Sequence, residues 1–304
     1  MLSFAVVVPT LNAGPEWRSW LSALQSQTLQ PVRTIVVDSS STDATAEISR
    51  AAGCEVVVIP RAEFNHGTTR QMAADLVEGL DLIIFMTQDA VLADRHALAN
   101  LVAGFDTADV WVAYGRQLPH LDARPIGAHA RLFNYSEVSE TRSMADLGKY
   151  GLKLAFVSNS FAAYRGEKLR EVGGFPSDNI FGEDTLVVAK MLLAGGSIAY
   201  RADARVYHSH DYSIMQDFRR YFDIGVFHSR ESWLRTRFGG AEGEGKRFVL
   251  SELRFLASGA PQLVPSAIIR TAGKYLGYRL GLAERHFSLR MKRRLSMHRG
   301  YWAK

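Results

Sequence analysis

The residues that decide the fold are FAVVVPTLN at positions 4–12 and VRTIVVDSSSTD at positions 32–43. In each stretch an apolar run stops at polar or turn-forming residues, which is typical of a buried strand that ends at a loop. Residues 17–29 lie between the two runs and can form a helix. A strand, a helix and a second strand in this order predict a parallel βαβ unit.

The same alternation continues through the first half of the chain. Runs rich in valine and isoleucine occur at residues 55–59 and 82–86, and helix-like segments at residues 43–52 and 68–79. Because the apolar residues are consecutive, both faces of the sheet are expected to be covered by helices. The pattern predicts an α/β fold with a mostly parallel, twisted sheet, whose ligand site lies beyond the carboxyl ends of the strands.

The second half of the chain is less regular. A helix at residues 183–194 is expected to end at Gly195-Gly196. After residue 212 the pattern is helical to the end. Short strands are expected at residues 156–164, 197–200 and 205–207.

Composition places the chain among globular proteins. Of its 304 residues, 47% are hydrophobic and 22% are charged, which excludes disordered and collagen-like classes. The single cysteine, Cys54, excludes an intrachain disulfide and is predicted to be a small core residue. The first apolar run is too short for a signal peptide, and no stretch reaches the roughly 18 apolar residues that cross a bilayer. We therefore expect a cytoplasmic protein.

Two carboxylates directly follow predicted strands. Asp38 follows the second strand, where it can accept the imide N–H of uracil or thymine, or simply form a turn or helix cap. Asp89 follows the fourth strand, where it can bind a divalent cation that bridges two phosphates, or form a turn. The residues alone leave both pairs of alternatives open.

A second set of candidate residues comes from the second half. Glu183 and Asp184 open a helix, where a carboxylate can interact with the helix dipole or act as a general base. His208 and His210 follow a short strand and are two residues apart, so their side chains face the same side. They can be metal ligands or structural residues.

Taken together, these motifs resemble glycosyltransferase family 2, whose members have the GT-A fold. The resemblance covers residues 4 to about 235. Its elements are VVVPTLN at 6–12, VVDSSSTD at 36–43, GGFP at 173–176 and GED at 182–184.

A narrower resemblance is to the bacterial rhamnosyltransferases of this family. It is carried by FNHGTTR at 64–70, TQDA at 87–90 and FRRYFDIG at 218–225. This implies dTDP-β-L-rhamnose as donor and a role in synthesis of O-antigen or a similar cell-surface polysaccharide. The sequence departs from the common family pattern at Thr87, where an Asp-x-Asp metal motif would have its first aspartate. The Gln-x-x-Arg-Trp element is also missing, and residues 208–220 occupy its place.

The resemblance implies an inverting single displacement with a divalent metal, manganese or magnesium. Asp184, beside Glu183, would be the catalytic base that deprotonates the acceptor hydroxyl. Asp89 would hold the metal with His208 or His210, and we favour His208 because it directly ends the strand. The residues expected to bind the nucleotide sugar are Pro9, Thr10, Asn12, Asp38, Ser40, Arg70, Gln88, Asp89 and Asn159.

The change to a helical pattern near residue 212, together with the resemblance, suggests two regions. Residues 1–211 would form the catalytic domain, with nucleotide-sugar binding first and acceptor binding after about residue 115. Residues 212–304 would form a helical, basic region. The acceptor is expected to be a glycan or lipid-linked glycan, and no nucleic-acid partner is expected. The alternatives are a donor that is another UDP- or dTDP-hexose, or a nucleotide-binding module without catalysis.

The C-terminal region is strongly basic. The net charge is +5, and no acidic residue follows Glu284. Residues 246–304 combine apolar helical segments with this basic end, which predicts peripheral contact with the cytoplasmic face of the inner membrane. The alternatives are packing on the catalytic domain and a homo-oligomer contact. The basic residues concerned are Arg285, Arg290, Lys292, Arg293, Arg294 and Arg299.

Overall fold

The computed structural model describes residues 2–240 and 243–303. Its strands within these ranges are β1 (Phe4–Thr10), β2 (Arg33–Asp38), β3 (Glu55–Val58), β4 (Leu82–Met86), β5 (Val91–Leu92), β6 (Val110–Leu118), β7 (Glu140–Arg142), β8 (Phe161–Arg165) and β9 (Ser197–Tyr207). The first eight helices are α1 (Trp17–Gln25), α2 (Thr45–Ala51), α3 (His66–Leu76), α4 (Ala97–Val102), α5 (Pro125–Asn134), α6 (Leu147–Tyr150), α7 (Gly166–Glu171) and α8 (Glu183–Leu193). They are followed by α9 (Ile214–Arg230), α10 (Ser232–Phe238), α11 (Glu244–Gly259), α12 (Val264–Leu282) and α13 (Leu289–Leu295).

All nine strands belong to one sheet with the order β3-β2-β1-β4-β8-β6-β9-β5, and β7 pairs with β9. The first four strands in this order are parallel, as predicted. The sheet is mixed beyond them, because β8 runs antiparallel to both β4 and β6, whereas β6 and β9 are parallel. The start of β8 therefore lies at the same edge of the sheet as the ends of β4, β6 and β9.

The central strands are buried on both faces, which explains their continuous apolar sequences. In β1, Ala5 and Val7 belong to one hydrophobic cluster, whereas Val6 and Val8 belong to the cluster on the opposite face. The single cysteine, Cys54, packs against the second cluster, and burial raises the pKa of its thiol to about 11.

The second half differs from the predicted pattern in two places. Residues 151–155 form a 3-10 helix and residues 156–160 form a loop and a turn, so β8 begins at Phe161 rather than at residue 156. The strands expected at 197–200 and 205–207 are one strand, β9, because the register against β6 shifts between Gly115 and Arg116. This irregularity takes up the intervening residues, so the pairing continues on both sides of it.

The C-terminal helices pack closely on one another. A Cβ atom at Gly277 of α12 would lie 2.3 Å from the carbonyl oxygen of Phe218 on α9, and one at Gly281 would lie 2.1 Å from that of Phe222. Only glycine permits this approach of two helix backbones. Within the described residues, no helix is both long and apolar enough to span a membrane.

Candidate active site

The sheet brings the predicted site residues to one edge. Asp38 ends β2, and Gln88 and Asp89 follow β4. Asn159 precedes β8, which runs in the opposite direction and therefore starts at this edge. His208 follows β9, whose end lies at the same edge. The directions of the strands thus bring residues that are far apart in the sequence to the same edge of the sheet.

A pocket of about 640 Å³ opens at this edge. Three of the residues expected to bind the nucleotide sugar line it, namely Pro9, Thr10 and Gln88. The segment between β3 and α3 forms another part of the wall. The C-terminal residues 297–301 also line the pocket, although the sequence pattern placed them at a membrane.

Asp38 is held in place beside this pocket. It is only 1% exposed, and its Oδ1 accepts hydrogen bonds from the Thr10 hydroxyl at 3.0 Å and the Ser41 hydroxyl at 2.5 Å. Its Oδ2 accepts the backbone N–H of Ser41 at 2.8 Å. Asp38 therefore organises the loop after β2, and Ser39 of that loop lines the pocket. A contact with the base remains a prediction.

Asn12 and Ser40 have left-handed backbone conformations, with φ of 46° and 58°. The Asn12 side-chain oxygen accepts the backbone N–H of Thr42 at 2.7 Å, and the Ser40 hydroxyl donates to the Ile59 carbonyl at 2.8 Å. Such conformations in residues other than glycine are costly and are concentrated at functional sites. These hydrogen bonds hold the loops after β1 and β2 in the conformation that flanks the pocket.

Asp89, His208 and His210 form a candidate metal centre. The Nε2 atom of His208 lies 3.5 Å from Asp89 Oδ1, and the Nδ1 atom of His210 lies 3.8 Å from Asp89 Oδ2. One ligand atom from each residue lies within 4.8 Å of the others. The structure therefore brings together the three residues that the sequence proposed as ligands.

The tautomer of His208 is set by Gln117, which the sequence did not identify. The Gln117 side-chain oxygen accepts a hydrogen bond from Arg131 at 2.6 Å, which fixes the orientation of the amide. That oxygen lies 2.8 Å from His208 Nδ1, so Nδ1 carries the proton. The Nε2 lone pair then faces Asp89, as a metal ligand requires. Gln117 lies in β6, and no local sequence signal separates it from an ordinary strand residue.

The charges of the cluster also suit a cation. Burial lowers the pKa of His208, and it lowers the pKa of His210 to about 3. Burial would raise the pKa of Asp89, but its polar neighbours, His208 first among them, lower it well below its usual value. At neutral pH the three side chains are therefore two neutral imidazoles and a carboxylate, which are the forms that bind metal.

The two histidines are expected to differ in their importance for manganese binding. His208 is 5% exposed and is oriented by Gln117, whereas His210 is half-buried and stacks on Tyr212 with ring centroids 4.9 Å apart. We expect His208→Ala to raise the manganese concentration needed for half-maximal activity by more than His210→Ala does. Gln117→Leu should raise it about 10- to 100-fold, as for the loss of other residues that orient a ligand. If His210→Ala raised the manganese requirement more than His208→Ala does, His210 would be the more important ligand.

The two acidic residues at the start of α8 lie in different surroundings. Glu183 is buried, and its Oε1 accepts from Arg70 at 2.7 Å and from the Asn159 amide at 3.4 Å. The Arg70 side chain is 4% exposed and also donates to the His66 carbonyl oxygen. The partners of Arg70 in the structure are thus protein groups, and its contact with the nucleotide remains a prediction.

Asp184 is the carboxyl group suited to accept a proton. Its Oδ1 accepts the backbone N–H of Thr185 at 2.8 Å, and its Oδ2 lies 3.4 Å from the Asn159 N–H. Burial and the negative charge of Glu183 raise the pKa of Asp184 to about 7. Burial opposes ionisation of Glu183 as well, but Arg70 lowers the pKa of that carboxyl. Because the two adjacent carboxyl groups have opposite pKa shifts, Asp184 can act as a base while Glu183 stays ionised as a fixed negative charge.

The comparisons with known proteins agree with this geometry. Residues 5–173 match the model of the family described as Glycosyl transferase family 2. Over 303 residues the chain is 46% identical to the O-antigen chain rhamnosyltransferase WbaN of Salmonella anatum. The aligned residues make up 99% of this chain and 96% of that relative. The chain is 45% identical over 302 residues to the O-antigen chain rhamnosyltransferase RfbN of Salmonella typhimurium, with the same coverage.

Solved structures have a similar fold. The mannosyltransferase PcManGT from Pyrobaculum calidifontis, in complex with GDP-Man and Mn2+, matches with a TM-score of 0.59 at 20% identity, covering 99% of this chain and 85% of that chain. TarS of S. aureus, in complex with UDP-GlcNAc, matches with a TM-score of 0.56 at 18% identity. This match covers 93% of this chain and 91% of the TarS chain. The predicted α/β fold of the GT-A type is confirmed. The chain belongs to glycosyltransferase family 2, and it is a glycosyltransferase.

Proposed function

We propose that the protein transfers L-rhamnose from dTDP-β-L-rhamnose to a glycan or lipid-linked glycan acceptor, with inversion, during synthesis of an O-antigen-like polysaccharide. The observation that carries the choice of sugar is the 46% identity to an O-antigen chain rhamnosyltransferase over 99% of this chain. The arrangement of Asp184, the metal centre and the pocket at one edge of the sheet supports the reaction class.

In this proposal Asp184 takes the proton of the attacking acceptor hydroxyl. The hydroxyl oxygen forms the new bond to the anomeric carbon while the bond from that carbon to the diphosphate oxygen breaks, which inverts the configuration. Glu183, kept ionised by Arg70, supports the raised pKa of Asp184 and stays in its ion pair. Asn159 orients both carboxyl groups through its side-chain amide and backbone N–H.

The donor set at the metal centre fits a divalent cation. Asp89 and the two histidines would hold it, and the bound cation would neutralise charge on the departing diphosphate. Magnesium strongly prefers oxygen ligands, whereas manganese, as a first-row transition ion, also binds at sites with nitrogen ligands. Manganese is therefore the metal that we propose.

The nucleotide is proposed to occupy the pocket next to this centre. Pro9, Thr10 and Gln88 line it, and Asn12 and Ser40 shape the loops beside it. We further propose that residues 1–211 are the catalytic domain, with acceptor binding after about residue 115, and that residues 212–304 are the helical, basic C-terminal region. The protein would act in the cytoplasm.

A donor panel tests the proposed sugar. Purified protein with manganese should hydrolyse or transfer from dTDP-β-L-rhamnose at least about tenfold faster than from dTDP-glucose, UDP-glucose or UDP-N-acetylglucosamine, because discrimination by a pocket of this kind amounts to roughly 1–3 kcal/mol. The measurement is released nucleoside diphosphate with each donor at equal concentration. A preference for one of the other hexoses would replace rhamnose, and binding of all donors without turnover of any would favour a module without catalysis.

The C-terminal region offers a surface for an anionic membrane. Along α12 a stripe of apolar side chains is more than half exposed, and Arg290, Arg293 and Arg294 of α13 are also exposed. Lys292 differs from them, because it pairs with Glu284 and lies over the Trp302 ring at 5.1 Å. The apolar stripe consists of Ile268, Ile269, Tyr275 and Leu276.

Sedimentation with vesicles tests this surface. Wild-type protein should sediment with anionic vesicles at low salt and detach at high salt, because each basic residue near the surface contributes about 1 kcal/mol. A variant with Arg290, Arg293 and Arg294 changed to Ser should remain in the supernatant and still hydrolyse donor. Ile268→Ser is the matched change in the apolar stripe. If Ile268→Ser loses a dimer that wild type forms, and its sedimentation with vesicles does not change, the surface would be a homo-oligomer contact rather than a membrane contact.

A further inference from the structure

The last residues of the chain line the nucleotide pocket. Residues 296–303, which we name the C-terminal strap, follow α13, and Met297 to Tyr301 form part of the pocket wall. Trp302 of the strap is buried, and so is Ser296. The strap is therefore packed into the protein on either side of the residues that reach the pocket.

Helix α9 holds the strap through a buried carboxylate. Asp223 is 0% exposed, and its Oδ2 accepts the backbone N–H groups of Met297 at 2.9 Å and His298 at 3.1 Å. Further along the strap, Arg230 donates to the Tyr301 hydroxyl at 2.6 Å and lies 5.1 Å from the Trp302 ring centroid. Asp223 belongs to the FRRYFDIG sequence at 218–225, for which the catalytic chemistry provides no role.

The other side of the strap contacts the segment that begins α3. The rings of His298 and His66 meet edge to face with centroids 5.6 Å apart. His66 belongs to the FNHGTTR sequence at 64–70 and also lines the pocket. The strap thus connects two of the three sequence motifs that mark the narrower subgroup.

The pocket has a positive lining. Arg61 and Arg299 are exposed residues of its wall. Among the described residues that line this pocket there is no aspartate or glutamate. A wall with two guanidinium groups and no carboxylate favours an anionic ligand, and phosphate oxygens are well suited to bidentate contact with arginine.

We propose that the C-terminal strap is part of the donor site, with Arg299 contacting the diphosphate of the nucleotide donor and Asp223 acting as the positioning residue that holds the strap against α9. This inference rests on the proposed function, because it assigns residues to the same donor.

The test measures binding of dTDP, UDP, GDP and thymidine to the full chain by calorimetry, with manganese and with EDTA. Arg299→Ala should weaken the tightest nucleoside diphosphate roughly tenfold or more and leave thymidine nearly unchanged, because only the diphosphate loses a charge-assisted partner. The affinity of Arg299→Lys for the nucleoside diphosphate should lie between those of wild type and Arg299→Ala. Arg294→Ala, an exposed arginine of α13 outside the pocket wall, is the matched control and should bind like wild type.

Limited proteolysis tests the role of the strap in a protein whose Arg299 is unchanged. If donor and strap are coupled, a bound nucleoside diphosphate must slow tryptic cleavage after Arg299, and a loosened strap must bind that ligand more weakly. We expect trypsin to cleave Asp223→Ala, and the milder variant Asp223→Asn, faster than wild type. Both variants should bind the nucleoside diphosphate more weakly and should retain the circular dichroism of wild type.

Two results would overturn the inference, and they have different meanings. If wild type binds dTDP or UDP but Arg299→Ala equals Arg294→Ala, the role of the strap fails and the proposed function stands. If wild type binds none of the nucleoside diphosphates in either metal condition, the proposed donor class fails and the role of the strap fails with it.

Discussion

Asp184→Asn is expected to reduce turnover by roughly 10²- to 10⁴-fold while leaving donor affinity close to wild type, because a positioned general base contributes about that much. The asparagine oxygen can still accept the Thr185 N–H that holds the side chain in the structure. It cannot accept the acceptor hydroxyl proton at neutral pH. Single-turnover transfer and donor titration measure the two effects separately.

The pH profile gives a second measure of the same group. Because burial and Glu183 raise the pKa of Asp184 to about 7, the ionised base is present above that pH and is lost as the pH falls through it. We expect wild-type kcat/KM to rise with pH up to about 7 and then to level off. Asp75→Asn, the same change at an exposed carboxylate of α3, should keep both the rate and the profile. A folded Asp184→Asn variant with normal turnover would exclude the role of base.

Asp89→Ala is expected to abolish metal-dependent donor binding. It removes the only carboxylate of the metal centre found among the described residues and leaves two imidazoles without the negative charge that offsets a divalent cation. Donor affinity in manganese should fall to the level of wild type in EDTA, and turnover should fall about 100-fold or more, because charge on the departing diphosphate is no longer neutralised.

Asp94→Ala is a suitable control for this variant. Asp94 lies five residues further along the chain and pairs with Arg205 instead of a histidine. Its loss should leave the manganese requirement unchanged. Full activity of the wild-type enzyme in EDTA would show that the metal assignment is wrong.

Much of the fold could be predicted because it depends on local patterns. The apolar run Leu82–Met86 is β4 with the predicted bounds, and the residues that follow β1, β2 and β4 do meet at one edge. The direction of β8 could not be predicted in this way, because an apolar strand pairs equally well with a parallel or antiparallel neighbour. That direction is what places Asn159 beside Glu183 and Asp184.

The sequence by itself determined the βαβ order of the first half, the carboxylates after β2 and β4, and the acidic pair that opens α8, because each is a short pattern with its own chemistry. The tertiary structure decided which groups these residues contact. Gln117 orients His208 from 91 residues away, and Arg70 forms its ion pair with Glu183 from 113 residues away. The basic C-terminus, whose pattern predicted a membrane surface, also contributes Arg299 to the pocket wall, because the buried Asp223 binds the backbone of the strap. Contacts of this range depend on packing between whole elements, and no local pattern specifies them.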